Sequence, residues 1–312
     1  MTQHIYRWDL DKTYLETDID SVRGIIRSAL EPAHNKRAVP GATALIHALR
    51  EERAGHIPRI VILSGSPTQM RKTLEKKLHL DGVHYDEFIL KDNLSNLKRG
   101  RLAAIRAQFG YKLPRLLEGR IGHGAGVRES LFGDDSEVDA MVYAVYADLL
   151  AGRISPVEVA TILAREQAYP DHIVDVLAAL KRVERADPVD RIFIHLAKGR
   201  PPEDFAALGT RVIPVRSWLQ AALVLYGAEE IQVGGLQRVL ETSQFSVIEA
   251  QEQLKDILRR GAVPSGTLER LQAVSLAEPW PAILGALPGA LYRPPLPMEQ
   301  MDYLDFLTRF KR

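Results

Sequence analysis

Short apolar segments alternate with stretches of helical periodicity through the first half of the chain. The segment RIVILSG (59–65) is apolar on both faces, as a strand buried within a parallel sheet should be. Further segments of this type are IYRWDL, DEFIL (86–90) and ESLFGDD (129–135). Helical spacing of apolar residues is found in SVRGIIRSAL, PGATALIHALREERA, PTQMRKTLEKKLHL, KLPRLLEGR and DAMVYAVYADLLAG. The alternation predicts an α/β fold with a doubly wound, mostly parallel sheet.

The pattern changes after about residue 150, where two helical segments follow each other without a strand between them. Ser155 and Glu158 have the spacing of a capping box, with a proline at the first helical position. Asp171 is the predicted N-cap of the second helix. We therefore predict that residues 151–187 form a helical hairpin inserted into the α/β core.

The alternation then resumes with RIFIHL (191–196), RVIPV (211–215) and a helix over 217–227. Residues 1–150 and 188–230 are therefore predicted to form one core. Residues 231–312 are predicted to be a helical and then proline-rich extension, with its long helical stretch closed by Gly261. The last segment, MDYLDFLTRFKR, has apolar residues near helical spacing and a basic end. It is expected to pack against the core, and peripheral contact with a membrane surface is the alternative.

The composition of the chain excludes several classes of function. The chain has 312 residues, of which 46% are hydrophobic and 26% charged, as in soluble globular proteins. A net charge of +1 gives no overall field that would attract nucleic acid, so no nucleic-acid partner is expected. The absence of cysteine excludes disulfides, thiolate metal sites and thiol catalysis. Because no signal peptide or membrane-spanning stretch is recognisable, a cytoplasmic location is expected. The oligomeric state is left open.

Polar side chains gather where the predicted strands end. In open α/β sheets, these carboxyl ends form the usual site of chemistry. The residues concerned are Asp9, Asp11 and Thr13 after the first strand, Ser64 and Gly65 after the second, Lys112 at the start of a helix after the third, and Asp134, Asp135 and Asp139 after the fourth. Taken one at a time, these motifs are also typical of exposed strand ends, turns, a capped or calcium-binding loop and a surface lysine.

Taken together, these residue types suit phosphoryl transfer. One carboxylate can attack phosphorus, and a second, two residues later, can protonate the leaving oxygen. The hydroxyl of Ser64 and the ammonium of Lys112 can bind the phosphoryl oxygens. Several carboxylates around a phosphate would repel it unless a divalent cation lay between them, and Mg²⁺ is the cation that prefers such oxygen ligands.

The segments WDLDKT, VILSGSP, YKLPRLLEGR and FGDDSEVD resemble the four motifs of the haloacid dehalogenase superfamily of phosphatases. Within that superfamily, they are similar to the catalytic domain of the actin-patch-type phosphatidate phosphatases. The resemblance covers about 1–150 and 188–228 and implies a haloacid dehalogenase-like sheet. It also implies a Mg²⁺-dependent phosphatase acting on a lipid or another phosphomonoester.

The resemblance also implies roles for individual residues. Asp9 would be the nucleophile and a Mg²⁺ ligand, and Asp11 the acid and base, with its backbone carbonyl on the metal. Ser64, Gly65 and Lys112 would bind the phosphoryl group. Asp134 would complete the metal shell, supported through water by Asp139 or Asp135, with Thr13 as a further supporting residue.

Two features depart from the family pattern and leave other functions open. Arg7 interrupts the apolar first strand, and Lys12 stands where the lipid phosphatases tend to carry an aspartate. A non-catalytic protein that binds a phosphorylated partner is therefore the alternative. A phosphotransferase that passes the phosphoryl group to an alcohol is a third hypothesis.

Overall fold

The computed structural model describes residues 2–17, 31–53, 55–92, 108–136, 138–287 and 303–310. Within them lie the strands β1 (Thr2–Trp8), β2 (His56–Pro67), β3 (Glu87–Lys91), β4 (Arg128–Asp134), β5 (Val189–His195) and β6 (Val212–Val215). They form one six-stranded sheet in the order β3-β2-β1-β4-β5-β6. Every pair of neighbouring strands is parallel. The predicted parallel α/β sheet is therefore confirmed, and the strand that precedes Asp9 lies inside it.

The helices of the described residues are α1 (Ala42–Arg50), α2 (Arg71–Leu80), α3 (Phe109–Glu118), α4 (Asp139–Leu150), α5 (Pro156–Arg165), α6 (Pro170–Leu180), α7 (Trp218–Gly227), α8 (Val233–Thr242), α9 (Val247–Arg259), α10 (Thr267–Gln272), α11 (Trp280–Leu284) and α12 (Tyr303–Phe310). Short 3₁₀ helices cover Thr68–Met70 and Pro202–Leu208. The predicted helix SVRGIIRSAL lies outside the described residues.

Alternate residues of the strands face two separate apolar layers. Ile62 and Phe193 belong to a core that includes α1, α7, α8 and α9. Leu63 and Ile192 belong to a second core that includes α3, α4, α5 and α6. Because successive side chains of a strand point to opposite faces, the two cores lie on the two sides of the sheet. This arrangement explains why RIVILSG has no polar face.

The helix pair predicted for 151–187 is present, with one difference at the start of its second helix. In α5 the Ser155 side chain accepts a hydrogen bond from the Glu158 amide, and the capping box is complete. The prediction that Asp171 caps the second helix is wrong, since α6 begins at Pro170 and its N-cap is Tyr169. Proline fixes a helical φ, which places Asp171 inside the first turn.

Three predicted helix boundaries also differ from the structure. The helix expected to open at Pro40 begins at Ala42, after Gly41 with φ 82°. The helix expected to begin at Lys112 starts at Phe109, so Lys112 lies in its first turn. The long helical stretch closed by Gly261 consists of α8 and α9, because Ser246 and Glu249 form a capping box that starts a new helix.

The C-terminal helix α12 packs against the core, as the first of the two predictions for this segment expected. Tyr303 and Phe306 are buried in the same apolar layer as α4. The Tyr303 hydroxyl donates to Oδ2 of Asp148 at 2.6 Å. Among the helices that the structure describes, none is long and apolar enough to cross a membrane.

Arg7, which interrupts the apolar first strand, is buried in an ionic cluster near the start of β4. Its Nε donates to Oε2 of Glu129 at 2.9 Å, and both side chains are at most 2% exposed. Arg120 and Tyr146 donate to the same carboxylate, at 3.2 and 2.9 Å. The charge of Arg7 is therefore compensated inside the protein, and the residue is part of the core.

Candidate metal and phosphate site

Three carboxylates meet beyond the carboxyl ends of β1 and β4. Asp9 follows β1, Asp134 ends β4 and Asp139 opens α4, and each is at most 2% exposed. One oxygen from each lies within 4.8 Å of the others, so a single ion could be bound by all three. The register brings them together, because Trp8 pairs with Phe132 and the Asp9 amide donates to the Phe132 carbonyl at 2.9 Å.

Lys112 enters this group from α3. Its Nζ lies 2.9 Å from Oδ1 of Asp9 and 2.5 Å from Oδ1 of Asp139, and its side chain is fully buried. The ammonium offsets one of the three carboxylate charges. Buried carboxylates that lie this close together offer the oxygen ligands that a hard cation binds. The buried trio could therefore hold a metal ion.

The end of β4 and the loop after it orient two members of the trio. Asp134 Oδ1 accepts hydrogen bonds from the Ser136 amide at 2.6 Å and from the Ser136 hydroxyl. A Cβ atom added to Gly133 would lie 2.6 Å from Oδ2 of Asp139 and 2.8 Å from Cε2 of Tyr143. Only glycine at this position leaves room for the Asp139 carboxylate beside the strand.

Asp11 is half-buried and faces the end of β2. Oδ2 of Asp11 accepts a hydrogen bond from Ser66 Oγ at 2.8 Å and a longer one from Ser64 Oγ at 3.5 Å. The Ser66 amide donates to Ser64 Oγ at 2.9 Å. A Cβ atom at Gly65 would collide with the side chain of Gln108. The β2 terminus thus contacts Asp11 through two hydroxyl groups.

The structure changes the expected arrangement in two respects. Among the described residues, the carboxylates that meet are those of Asp9, Asp134 and Asp139, so Asp139 could itself bind an ion that the other two hold. Asp135 instead accepts hydrogen bonds from the backbone amides of Lys198 and Arg200, at 2.7 and 3.1 Å. These bonds attach the loop after β5 to the end of β4, which the sequence pattern did not indicate.

Two ring side chains hold the loop that carries Asp11. His195 Nδ1 donates to the Lys12 carbonyl at 2.8 Å, and Trp218 Nε1 donates to the Thr13 carbonyl at 3.0 Å. The two rings stack with centroids 5.4 Å apart. Burial lowers the pKa of His195, so its imidazole is neutral and its proton lies on Nδ1. Thr13 itself is fully buried and acts here through its backbone.

Ser66 and Gly133 lie within the motifs that resemble the family, but the sequence assigned them no role, and Trp218 lies outside these motifs. Ser66 had a detectable signal, since a second hydroxyl follows Ser64 at the next position on the same face of the strand. The roles of Gly133 and Trp218 could not be predicted, because they depend on contacts with residues from other elements. Such contacts appear only when the sheet has formed.

No family model, curated protein or solved structure matches this chain. The function of the site is therefore inferred from its own residues.

Proposed function

We propose that the protein is a Mg²⁺-dependent phosphomonoester hydrolase that works through an aspartyl-phosphate intermediate. The resemblance of the sequence motifs to those of haloacid dehalogenase-like phosphatases, phosphatidate phosphatases among them, supports this proposal. The observation that carries it is the buried group of three carboxylates with the Lys112 ammonium between two of them. Acidic residues that serve only solubility have no reason to be buried at the end of a parallel sheet.

The oxygen atoms at this site are suitable ligands for Mg²⁺. Carboxylate oxygens are hard ligands, and Mg²⁺ prefers them over nitrogen and sulfur. Asp9, Asp134 and Asp139 would hold the ion, with the backbone carbonyl of Asp11 as the further oxygen that the resemblance implies. When bound, Mg²⁺ would offset the charge that the carboxylates and the phosphoryl oxygens bring into one pocket.

The side chains divide the reaction between them. A carboxylate oxygen of Asp9 attacks phosphorus as the bond to the leaving oxygen breaks, and Asp11 gives that oxygen a proton. Water then attacks the phosphorus of the aspartyl-phosphate as the bond from phosphorus to the Asp9 oxygen breaks, which regenerates the Asp9 carboxylate, and Asp11 accepts a proton from that water. Ser64 Oγ, the Gly65 amide and Lys112 Nζ would bind the phosphoryl oxygens throughout.

The first test is hydrolysis of p-nitrophenyl phosphate by the purified protein before and after removal of divalent cations. We expect activity with Mg²⁺, loss of it with a chelator, and recovery when Mg²⁺ is restored, because the buried carboxylates repel a phosphate dianion without a cation. A panel of phosphomonoesters with phosphatidate liposomes included extends the assay. Activity that is unaffected by the chelator would contradict the proposed metal dependence.

The same panel of phosphomonoesters distinguishes the hydrolase from the two other hypotheses. Tight binding of phosphate ligands without turnover of any ester would favour a non-catalytic binding protein. Competing acceptor alcohols distinguish a phosphotransferase, because their phosphorylated products would then accumulate in place of inorganic phosphate.

Replacing Ser66 tests the role of Asp11. The 2.8 Å hydrogen bond from Ser66 Oγ fixes the direction of the Asp11 carboxyl, and general acid catalysis depends on that direction. We expect Ser66→Ala to lower kcat roughly tenfold with little change in KM. The loss is smaller than the full contribution of general acid catalysis, because Asp11 itself remains. Steady-state kinetics with several leaving groups would measure the effect, which should grow as the leaving oxygen becomes more basic.

Two further variants act as controls for this measurement. Ser66→Thr keeps the hydroxyl and should retain most of the rate. Ser243→Ala removes another buried serine, whose Oγ donates to the Val239 carbonyl within α8 and its C-cap, and it should leave kcat unchanged. A loss of rate that is equal for Ser66→Ala and Ser66→Thr would show that the hydroxyl is not what orients Asp11.

A further inference from the structure

The helix that carries Lys112 lies between the sheet and the helix pair of residues 151–187. The apolar side of α3, with Leu113, is buried in the second core. That core also contains residues of β2, β4, α5 and α6, among them Leu63, Leu131, Ile162 and Val176. The position of α3 therefore depends on the sheet on one side and on the helix pair on the other.

α3 and the start of α6 approach each other closely at Gly110. A Cβ atom added to this buried glycine would lie 2.7 Å from Nδ1 of His172 and 3.0 Å from Cβ of Ala168. Ala168 precedes α6, and His172 lies in its first turn. Glycine within a helix costs about 1 kcal/mol relative to alanine. The close contact accounts for glycine at this position, since a side chain there would displace its neighbours.

Lys112 lies on the side of α3 away from this contact. An α-helix turns by about 100° per residue, so side chains two residues apart point in directions that differ by about 200°. Gly110 thus faces the helix pair, while Nζ of Lys112 lies 2.9 Å from Oδ1 of Asp9 and 2.5 Å from Oδ1 of Asp139. The length of both hydrogen bonds depends on where α3 stands between its neighbours.

The helix pair also contacts α4, whose first residue is Asp139. α5 packs against α4, and the amide of Ala186, which follows α6, donates to the carbonyl of Leu150 at the end of α4 at 3.1 Å. Asp9 and Asp134 are placed by the ends of strands, whereas Lys112 and Asp139 are placed by helices. The helix pair thus contacts both helices that contribute a charged side chain to the site.

We infer that the helix pair of residues 151–187 positions Lys112 through the contact at Gly110. The separation of α3 and α6 at this contact determines how the ammonium lies between the carboxylates. Gly110 and His172 are then positioning residues, which act on the phosphoryl group only through Lys112. The inference rests on the proposed function, because that function assigns the binding of phosphoryl oxygens to Lys112.

The experiment changes the size of the contact in the full chain. Gly110→Ala adds a methyl group, His172→Ala removes the ring that the methyl group would meet, and the double variant combines both changes. Gly126→Ala is the matched control, since no atom of the described residues lies within 4 Å of a Cβ added there and the φ of Gly126 is outside the left-handed region. For each protein, crystal structures, thermal unfolding, calorimetry of inorganic phosphate with Mg²⁺ and p-nitrophenyl phosphate kinetics are compared.

We expect Gly110→Ala to raise KM and the dissociation constant of phosphate about tenfold, less than the roughly hundredfold cost of a 1 Å displacement. The effect on kcat should be smaller, because a contact that is present before and during the reaction affects mainly KM. The crystal structure should show Nζ of Lys112 displaced from Asp9 or Asp139. Gly126→Ala should change none of these quantities.

The double variant distinguishes positioning from general destabilisation. His172→Ala alone should weaken phosphate binding about threefold, since α3 loses part of its support. This variant also keeps the test available if Gly110→Ala does not fold. In the double variant the methyl group occupies space that the ring has left, so phosphate should bind more tightly than to Gly110→Ala. Non-additive effects of this kind are expected for residues in contact.

The outcomes separate this inference from the proposed function. Values for Gly110→Ala that equal those of Gly126→Ala would overturn the inference and leave the hydrolase standing, and so would additive losses in the double variant. If the wild-type chain neither bound phosphate nor hydrolysed any ester, the proposed function would fail. Displacement of Lys112 in Gly110→Ala, reversed in the double variant, would still support positioning by the helix pair.

Discussion

Asp9→Asn is expected to abolish hydrolysis of p-nitrophenyl phosphate, with kcat lowered by roughly 10⁴-fold or more, as for the loss of other catalytic nucleophiles. The amide cannot form the phosphoryl-enzyme bond and is a weaker metal ligand than a carboxylate. The amide oxygen can still accept the hydrogen bond from Lys112 Nζ, which lies 2.9 Å from Oδ1 in the wild-type chain. The variant should therefore lose catalytic activity while the arrangement of the side chains in the site is retained.

The stability of this variant separates a chemical effect from unfolding. Asp9, Asp134 and Asp139 share one buried pocket, so removal of one negative charge relieves repulsion when no cation is bound. We expect Asp9→Asn without Mg²⁺ to unfold at the same temperature as the wild-type chain or at a higher one. Added Mg²⁺ should stabilise it less than it stabilises the wild type, because binding is weaker.

The measurement combines steady-state kinetics, circular dichroism and thermal unfolding with and without Mg²⁺. Asp175→Asn is the matched control, since Asp175 is an exposed aspartate of α6. It should leave the rate and the Mg²⁺ effect unchanged. An Asp9→Asn variant that hydrolyses the ester at the wild-type rate would exclude the proposed nucleophile.

The meeting of Asp9 and Asp134 could be predicted from the sequence, because both residues lie at the carboxyl ends of strands in a parallel sheet and within the motifs that resemble the family. Each residue lies at the carboxyl end of an apolar segment, and parallel neighbours bring such ends to one edge. Lys112 was expected there for a similar reason, although its helix begins three residues earlier than predicted. These placements could be predicted from the alternation of strands and helices together with the order of the motifs.

The directions of the side chains at that edge could not be predicted in the same way. Asp11 is drawn toward β2 by Ser66, and Asp135 toward the loop after β5 by two backbone amides. Asp139 reaches the centre because Gly133 leaves space for it. Each of these facts depends on contacts between elements, whereas sequence patterns describe one element at a time.

Some helix boundaries could not be predicted for a different reason, since two local features of the sequence favoured different boundaries. Pro170 and Asp171 are both typical of a helix start, and proline prevailed because its ring already fixes the required φ. Between α8 and α9, apolar spacing continues across the break, while Ser246 and Glu249 form the capping box that ends the continuity. The capping box can be recognised in the sequence, but the helical spacing of the apolar residues favoured one continuous helix.

Arg7 is the clearest case of a residue whose role depends on distant partners. In the sequence it interrupts an apolar strand, and its charge is compensated by the carboxylate of Glu129, which Arg120 shares. Burial disfavours the charged form of Glu129, yet the guanidinium groups of Arg7 and Arg120 hold the pKa of this carboxyl below its usual value. The cluster therefore contributes stability that is lost as the pH falls below the ordinary range of a glutamate.

Glu129→Gln should accordingly destabilise the protein by about 3 to 5 kcal/mol, the cost of leaving buried charges without their partner. Two guanidinium groups would remain in a pocket where the carboxylate is fully buried. Neutral acceptors such as the Gly119 carbonyl, 3.0 Å from Arg7 Nη2, would not replace the charge of that carboxylate. Urea unfolding at neutral pH measures the loss. The cluster lies at the start of β4 and Asp134 at its end, so the folded fraction should keep its metal affinity.

Glu118→Gln provides the matched control, because Glu118 pairs with Arg115 at 2.6 Å while both side chains remain partly exposed. That substitution should change the free energy of unfolding by less than about 1 kcal/mol, since solvent screens the pair. The difference between the variants should shrink in acid, where the wild-type Glu129 also loses its charge. If Glu129→Gln were as stable as Glu118→Gln at neutral pH, the two arginines would not depend on this carboxylate, and the burial of Arg7 in β1 would need another cause.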